Sequence, residues 1–321
     1  MAWYFVVFLF LLSCFVLSWV GSRLIKSLIN IGRFLQWKEF VITFFVMAFA
    51  TSLSNFFVDF NAASRGLPEI ALGDIIGGNL IDLTLILAIA IFFTKKGISA
   101  ESHMVQRSAI FTTAIAILPL FLIADSKLER IDGVILIFAF LFYVWWVFSE
   151  KSRFRKTYNG KPKDINYNFN NFVIDVFKMI LFAILLLMAS FFVVDAAKFF
   201  AESLGMSLAL VGILIISLGN TFPEMYFSIV SARKKENWMV LGELMGSVII
   251  CSTLVLGLIA IFFPFEIHDL SVFLTARVFL IIAALFSLLF VITEKKITKK
   301  EGFFLLFIYI AFLITEIFIS R

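Results

Sequence analysis

Residues 219–229 read GNTFPEMYFSI, and residues 50–60 read ATSLSNFFVDF. Glu224 lies in an otherwise apolar run, between LVGILIISL (210–218) and MYFSIV (225–230). A carboxylate near the centre of a bilayer costs about 3 kcal/mol on insertion scales, so function is the default reading of its presence. Further along, residues 71–88 read ALGDIIGGNLIDLTLILA and residues 240–257 read VLGELMGSVIICSTLVLG. The offset is constant, because Gly219 and Ala50, like Gly242 and Gly73, are 169 residues apart. Without a gap, Gly77 then meets Gly246, Thr84 meets Thr253 and Leu87 meets Leu256. Leucines match by chance in any two apolar helices. Paired glycines and polar clusters at one offset do not, so the chain reads as a duplicated unit.

Composition sets the medium. The 321 residues are 62% hydrophobic and 15% charged, with a mean hydropathy of +1.05. Soluble domains are nearer half apolar and a quarter charged. The chain therefore reads as an all-α integral membrane protein whose partners are the lipid bilayer and inorganic cations. Its net charge of +5 is not a nucleic-acid signal, because the basic residues fall in short loops between apolar runs. Cys14 and Cys251 lie in apolar runs and form neither a disulfide framework nor a paired-cysteine metal motif. His103 and His268 fall in predicted loops, which argues against a histidine metal centre. No nucleophile–base pair appears in the spans, so neither an enzyme nor a cofactor is expected. The opening run MAWYFVVFLFLLSCFVLSWV lacks a basic start and reads as a first transmembrane helix, not a leader.

About ten runs are long enough to span a bilayer. They fall at 3–21, 40–62, 69–94, 106–124, 131–149, 171–199, 206–231, 238–263, 271–293 and 302–319. Loops after the odd-numbered spans are rich in Lys and Arg (EKSRFRKTYNGKPK, ARKKEN, EKKITKKE), and alternate loops are mixed or acidic (FEIHDL). The positive-inside rule puts the basic loops in the cytoplasm and both termini outside. Residues 1–149 form a first five-helix repeat, 150–170 a cytoplasmic linker, and 171–321 a second repeat. Five spans per half force the second repeat to enter upside down, the geometry of inverted-repeat transporters. The expected location is the plasma membrane of a prokaryote. The sequence specifies no oligomeric state.

The polar clusters carry the chemistry. They comprise Thr51, Ser52, Ser54, Asn55, Asp74, Asn79 and Asp82 in the first half, and Asn220, Thr221, Glu224, Glu243, Ser247 and Cys251 in the second. Apart from the thiol these are oxygen or amide groups, which suit hard cations such as Ca²⁺ and Na⁺. Pro223 has no N–H, so the Gly219 carbonyl loses its helical partner and a break beside Glu224 is expected. The plain structural readings are back-bonding for Thr51 and Thr221, helix–helix glue for Asn79, packing or capping for Asp74 and Glu243, and a water-filled vestibule for Asp59. Glu224 and Asp82, deep in their spans, read as functional.

At this point the chain resembles the sodium/calcium exchanger family, the cation/Ca²⁺ antiporters. That family repeats a motif like G-T-S-x-P-E in one helix and G-N-x-x-G-S-N-x-x-N/D in the next. Here GNTFPE and GELMGSVIIC stand in the second half, and ATSLSN and GDIIGGNLID in the first. The resemblance covers essentially the whole chain. It implies a Ca²⁺ site between the halves, with Na⁺ sites around it. The motif glutamates map to Asn55 and Glu224, and their partners on the next helices to Asp82 and Cys251. The hydroxyls map to Thr51, Ser52, Thr221 and Ser247, with Asn220 and Gly78 in place of two others. Backbone carbonyls at Ala48, Ser217 and Gly219 would contribute. Asn55 removes one negative charge, Ser54 replaces a proline, and Cys251 replaces an oxygen ligand. Glu224 and Asp82 survive as a carboxylate pair able to match one divalent metal ion. The expected function is Ca²⁺ export against Na⁺ by alternating access. The alternatives are H⁺ coupling and a non-transporting sensor or assembly relative.

Overall fold

A computed structural model describes residues 3–34, 47–149, 169–234, 236–293 and 295–319. The linker 150–168 and the start of the second predicted span, 40–46, lie outside the described residues. Helix α1 covers Trp3–Phe34 and α2 Met47–Ser64. Helix α3 runs through Pro68–Ile81, a π-helical turn Asp82–Ile86, and Leu87–Phe92. Helices α4 (His103–Leu122), α5 (Arg130–Ser149) and α6 (Phe169–Leu204) follow. Helix α7 has two pieces, Leu208–Asn220 and Phe222–Arg233, bent by 41°. Helix α8 comprises Asn237–Ile249, a π-helical turn Ile250–Val255, and Leu256–Phe262. Helices α9 (Leu274–Thr293) and α10 (Lys299–Ile319) complete the described chain. Eight of these helices are long and apolar enough to cross a bilayer, or nine with the bent pair counted once. The chain is thus a multi-pass membrane protein.

Helices α3 and α8 hold the centre, with 83% of their apolar windows buried, against 22% for α6. The outer faces of α1, α5, α6, α9 and α10 carry Phe8, Phe138, Phe177, Leu285 and Phe307, all exposed, as a lipid-facing surface requires. Helix α1 extends well past the predicted end at residue 21, into the predicted basic loop. Packing against α6 explains the extension. Phe34 stacks on Phe172 with ring centroids 4.6 Å apart, and Asn30 donates to Asp175 at 3.1 Å.

Small residues let the central helices touch. A side chain at Gly73 would come within 2.5 Å of the Ala209 carbonyl oxygen, and one at Gly212 equally close to that of Ile70. Helix α3 therefore meets the first piece of α7 backbone to backbone. The π-helical turns of α3 and α8 fall at corresponding places, Asp82 and Cys251 being 169 residues apart. In each, a threonine one turn on covers a carbonyl: Thr84 donates to Leu80, and Thr253 to Ile249 at 2.5 Å.

Four two-residue strands link distant loops. Strand β1 (Ile98–Ser99) pairs antiparallel with β4 (Lys296–Ile297), and β2 (Lys127–Leu128) with β3 (Phe265–Glu266). Ser126 and Lys295, again 169 apart, both take left-handed conformations, with φ of 65° and 52°. The Ser126 carbonyl accepts from Ile267 N–H, and the Lys295 carbonyl from Ala100 N–H, each at 2.7 Å. The repeat offset carries Ser126 and β2 onto Lys295 and β4, and the partner arms correspond at 167, two residues fewer.

Candidate cation-binding site

The polar clusters of α2, α3, α7 and α8 meet at the centre. Asn55 Nδ2 of α2 donates to Glu224 Oε1 of α7 at 3.4 Å and to Cys251 Sγ of α8 at 3.5 Å. Asn55 and Glu224 are equivalent residues, so this contact joins the two halves at one point. Ser52 Oγ donates to Ser247 Oγ at 3.3 Å, and Ser247 in turn reaches Asp82. In the other half the corresponding pair is Thr221 against Gly78, whose position lies 3.7 Å from the Thr221 methyl. Asp82 and Glu243 both lie within electrostatic reach of Glu224.

The sequence explains the local folding. Helix α7 breaks at Thr221 (φ −84°, ψ 5°), two residues before Pro223, and Glu224 stands in the first turn of the new piece. The first-turn N–H groups and the helix dipole favour a negative group there. Helix α2 passes unbroken through Ser52, Leu53 and Ser54, where Ser54 Oγ donates to the Thr51 carbonyl at 2.9 Å. Thr51 and Thr221 back-bond as the plain reading expects, to Ala48 at 3.0 Å and Ser217 at 2.9 Å. Those carbonyls, two of the candidate ligands, are thus engaged; Ala48 also accepts from Ser52 at 2.8 Å. Gly219 packs against Phe10 and Cys14 of α1, so α1 lies directly over the break.

Asn79 joins two helices as its plain structural reading expects, its amide donating to Ser252 Oγ of α8 at 2.8 Å. Asp74 and Asp59 differ from expectation. Asn220 donates to Asp74 Oδ2 at 2.7 Å, so Asp74 is neither a cap nor inert packing. Its counterpart Glu243 accepts from Ser228 at 3.0 Å and meets Thr51. Asp59 does not face a vestibule; it is fully buried beside Asp74. Helical spacing was the available signal, since Asp59 stands one turn after Asn55 and Asp74 two turns before Asp82.

One property unites the cluster. Asn55 Oδ1, Asp82 Oδ1, Asn220 Oδ1, Glu224 Oε2 and Glu243 Oε1 are buried without a hydrogen-bond partner, and the Asp59 oxygens have none but the Asp74 carboxyl. Among the described residues no Lys, Arg or His is buried. Buried polar atoms normally find partners, so each orphan calls for an explanation. Among the same residues no three His, Cys, Asp or Glu side chains converge as a ready-made metal cage. The donors are instead a mixture of carboxylate, amide and hydroxyl groups from four helices, a set suited to hard cations.

The sequence profile of the sodium/calcium exchanger protein family matches residues 5–149 and 175–318, one segment in each half. The chain belongs to the sodium/calcium exchanger family. That family is one of membrane transporters and not of enzymes. The sodium/calcium exchanger MaX1 of Methanosarcina acetivorans is 25% identical over 97% of this chain and 99% of its own length. The inner membrane protein YrbG of Escherichia coli is 25% identical over 88% of this chain and 87% of its own. Among solved structures, the sodium-calcium exchanger NCX_Mj soaked with 100 mM Na⁺ and 10 mM Sr²⁺ superposes with a TM-score of 0.67. It is 25% identical and covers 95% of this chain and 96% of its own.

Proposed function

We infer that this exchanger-family chain is a secondary-active antiporter that moves Ca²⁺ out of the cell in exchange for Na⁺. The observation that carries this reading is the set of orphaned, buried oxygens from both halves, with no buried basic side chain among the described residues to meet them. Glu224 and Asp82 supply the formal charge for one divalent ion. Asn55, Thr51, Ser52, Asn220, Thr221, Ser247 and Asn79 line its surroundings, and the carbonyls of Ala48, Ser217 and Gly219 stand nearby. The halves are inverted repeats, residues 1–149 and 171–321 joined by the linker 150–170. The membrane is crossed ten times with both termini outside, in a prokaryotic plasma membrane. The paired corners β1·β4 and β2·β3 support the inversion. One joins loops that follow odd-numbered spans, and the other joins loops that follow even-numbered spans.

A second reading has its own observation. Asn55 gives its amide to Glu224, so the contact between the halves joins an amide to a carboxylate where the family motif has two glutamates. With one charge fewer, the site has less capacity for Na⁺, and a buried carboxyl can carry a proton in place of a cation. This favours H⁺ coupling.

Ion flux into proteoliposomes under an imposed Na⁺ or H⁺ gradient tests both. Ca²⁺ movement driven by Na⁺ supports exchange, and movement driven only by a pH gradient supports the second reading. Wild-type flux in Glu224→Gln would remove Glu224 from the site.

A further inference from the structure

A narrow void is lined by Asn55, Asp59, Asp74, Asn79, Asp82 and Cys251. Asp59 belongs neither to the repeated family motif nor to the central set assigned above. Asp74 stands where the motif has asparagine. Asp59 is 0% exposed, its carboxyl meets only that of Asp74, and no other group hydrogen-bonds to either of its oxygens. Its neighbour across the void is Asp74, 3% exposed, whose Oδ2 is held by Asn220. Asn55 Oδ1 and Asp82 Oδ1, buried and also unpartnered, belong to the same lining.

The second half shows what a self-sufficient version looks like. There the equivalents of Asp59 and Asp74 are Ser228 and Glu243, and the serine hydroxyl donates to the carboxylate at 3.0 Å. In the first half an acceptor has replaced the donor. Two carboxylates in contact repel unless something positive lies between them. No buried cationic side chain is available among the described residues to do so. The unpartnered amide oxygen of Asn55 adds a neutral oxygen ligand on the same lining.

We propose that Asp59 and Asp74, with the Asn55 amide oxygen, form a second cation position for a hard divalent ion such as Ca²⁺, one helical turn along α2 from the central site. It rests on the transport reading above. The two carboxylates supply the formal charge of a divalent ion, and all the ligands are oxygen. Asn220, which holds Asp74, is the last residue before the bend of α7. A cation at the acid pair therefore acts on the residue from which the break begins. The transporter has one Ca²⁺ position between its halves and a second beside it in the first half, with no equivalent of the second in the other half.

Equilibrium dialysis of radiolabelled Ca²⁺ against the purified full chain, in Na⁺-free buffer, tests this. The variants are Glu224→Gln, Asp59→Ser, which copies the second half, and Asp59→Asn, which keeps the side-chain size. Wild type should bind one Ca²⁺ more than either Asp59 variant. Glu224→Gln should retain the Asp59-dependent ion, and the double variant should bind none. Thermal melting identifies which Asp59 variant is folded. Equal Ca²⁺ binding by wild type and a folded Asp59 variant would overturn the second position while leaving the central site standing. That result would mean the two carboxyls share a proton. Failure of the wild type to bind Ca²⁺ at all would overturn both.

Discussion

Helices α2 and α7 occupy the same place in the two halves and solve the same problem differently. Helix α7 bends by 41° around Thr221, with Pro223 just beyond, and starts afresh at a glutamate. Helix α2 carries Ser54 and Asn55 at those positions and runs unbroken from Met47 to Ser64. Charge follows backbone. The broken helix presents a carboxylate at the head of a new helix, where the dipole favours it. The unbroken helix presents an amide, and its acid, Asp59, sits one turn further on. Equivalent positions on α2 and α7 thus carry different chemistry, and on α2 the negative charge lies away from the contact between the halves.

This contrast can be broken most severely at Glu224. Glu224→Gln removes the carboxylate at the contact between the halves, and Ca²⁺ flux in proteoliposomes should fall about 100-fold, roughly 2.7 kcal/mol. Asn55→Ala should cost less, on the order of tenfold, because only an amide is lost. Similar losses from the two would mean that the halves contribute equally.

The next effect concerns packing. Gly212→Ala would place a methyl 2.5 Å from the Ile70 carbonyl oxygen and force α3 from α7. Overpacking of this kind costs about 1–3 kcal/mol and should lower the melting temperature in detergent. Gly78→Ala meets only the Thr221 methyl, at 3.7 Å, and should melt like wild type. A melting temperature for Gly212→Ala equal to wild type would show that the two helices can separate freely.

Pro223→Ala asks whether the break itself matters. Restoring an N–H lets the Gly219 carbonyl regain a helical partner. Flux should drop by about tenfold with no loss of thermal stability. Spin labels on the two pieces of α7 should report a smaller bend. Unchanged flux would make the bend incidental.

The smallest effect lies at a corner of the molecule. Lys127 Nζ meets Glu266 at 2.7 Å across β2·β3, in the open. The ammonium holds the Glu266 carboxyl below the usual glutamate range, and Glu266 holds Lys127 above the usual lysine range. The Glu266 contribution is present above its unfolded pKa and is lost as pH falls through the lowered folded value. The Lys127 contribution is present below its unfolded pKa and is lost as pH rises through the raised folded value. Thermal melts of wild type and Lys127→Ala should differ slightly near neutral pH and converge at both extremes. A difference that persists in strong acid would assign the effect to packing.

Much of this was legible in the sequence, for identifiable reasons. Gly73, Gly77, Gly242 and Gly246 revealed the repeat because glycines at one offset, unlike leucines, do not match by chance. Asn55, Glu224, Asp82, Ser52 and Ser247 were legible because polar groups inside apolar spans need a purpose. The acid pair was not. Spacing shows that Asn55 and Asp59 share a face of α2, but not which face of α3 it meets. The partners of Asn220 and Asn79, the acceptors Asp74 and Ser252, depend on helix rotation, which spacing does not show. The short strands escaped notice because Ile98 and Ile297 pair across nearly two hundred residues, and two residues carry no periodicity.

The close contact of α3 with the first piece of α7 bears on how the chain is built. Its two surfaces, around Gly73 and Gly212, are separated by well over a hundred residues of sequence. During synthesis Asp59, Asp74 and Asp82 enter the bilayer long before Asn220 and Ser247 exist to meet them. A nascent first half carries unsatisfied carboxyls and an unfilled glycine groove, and both are answered only when α7 and α8 arrive. Insertion of this protein is thus a wait: the polar centre that serves the finished transporter is, until then, its most vulnerable part.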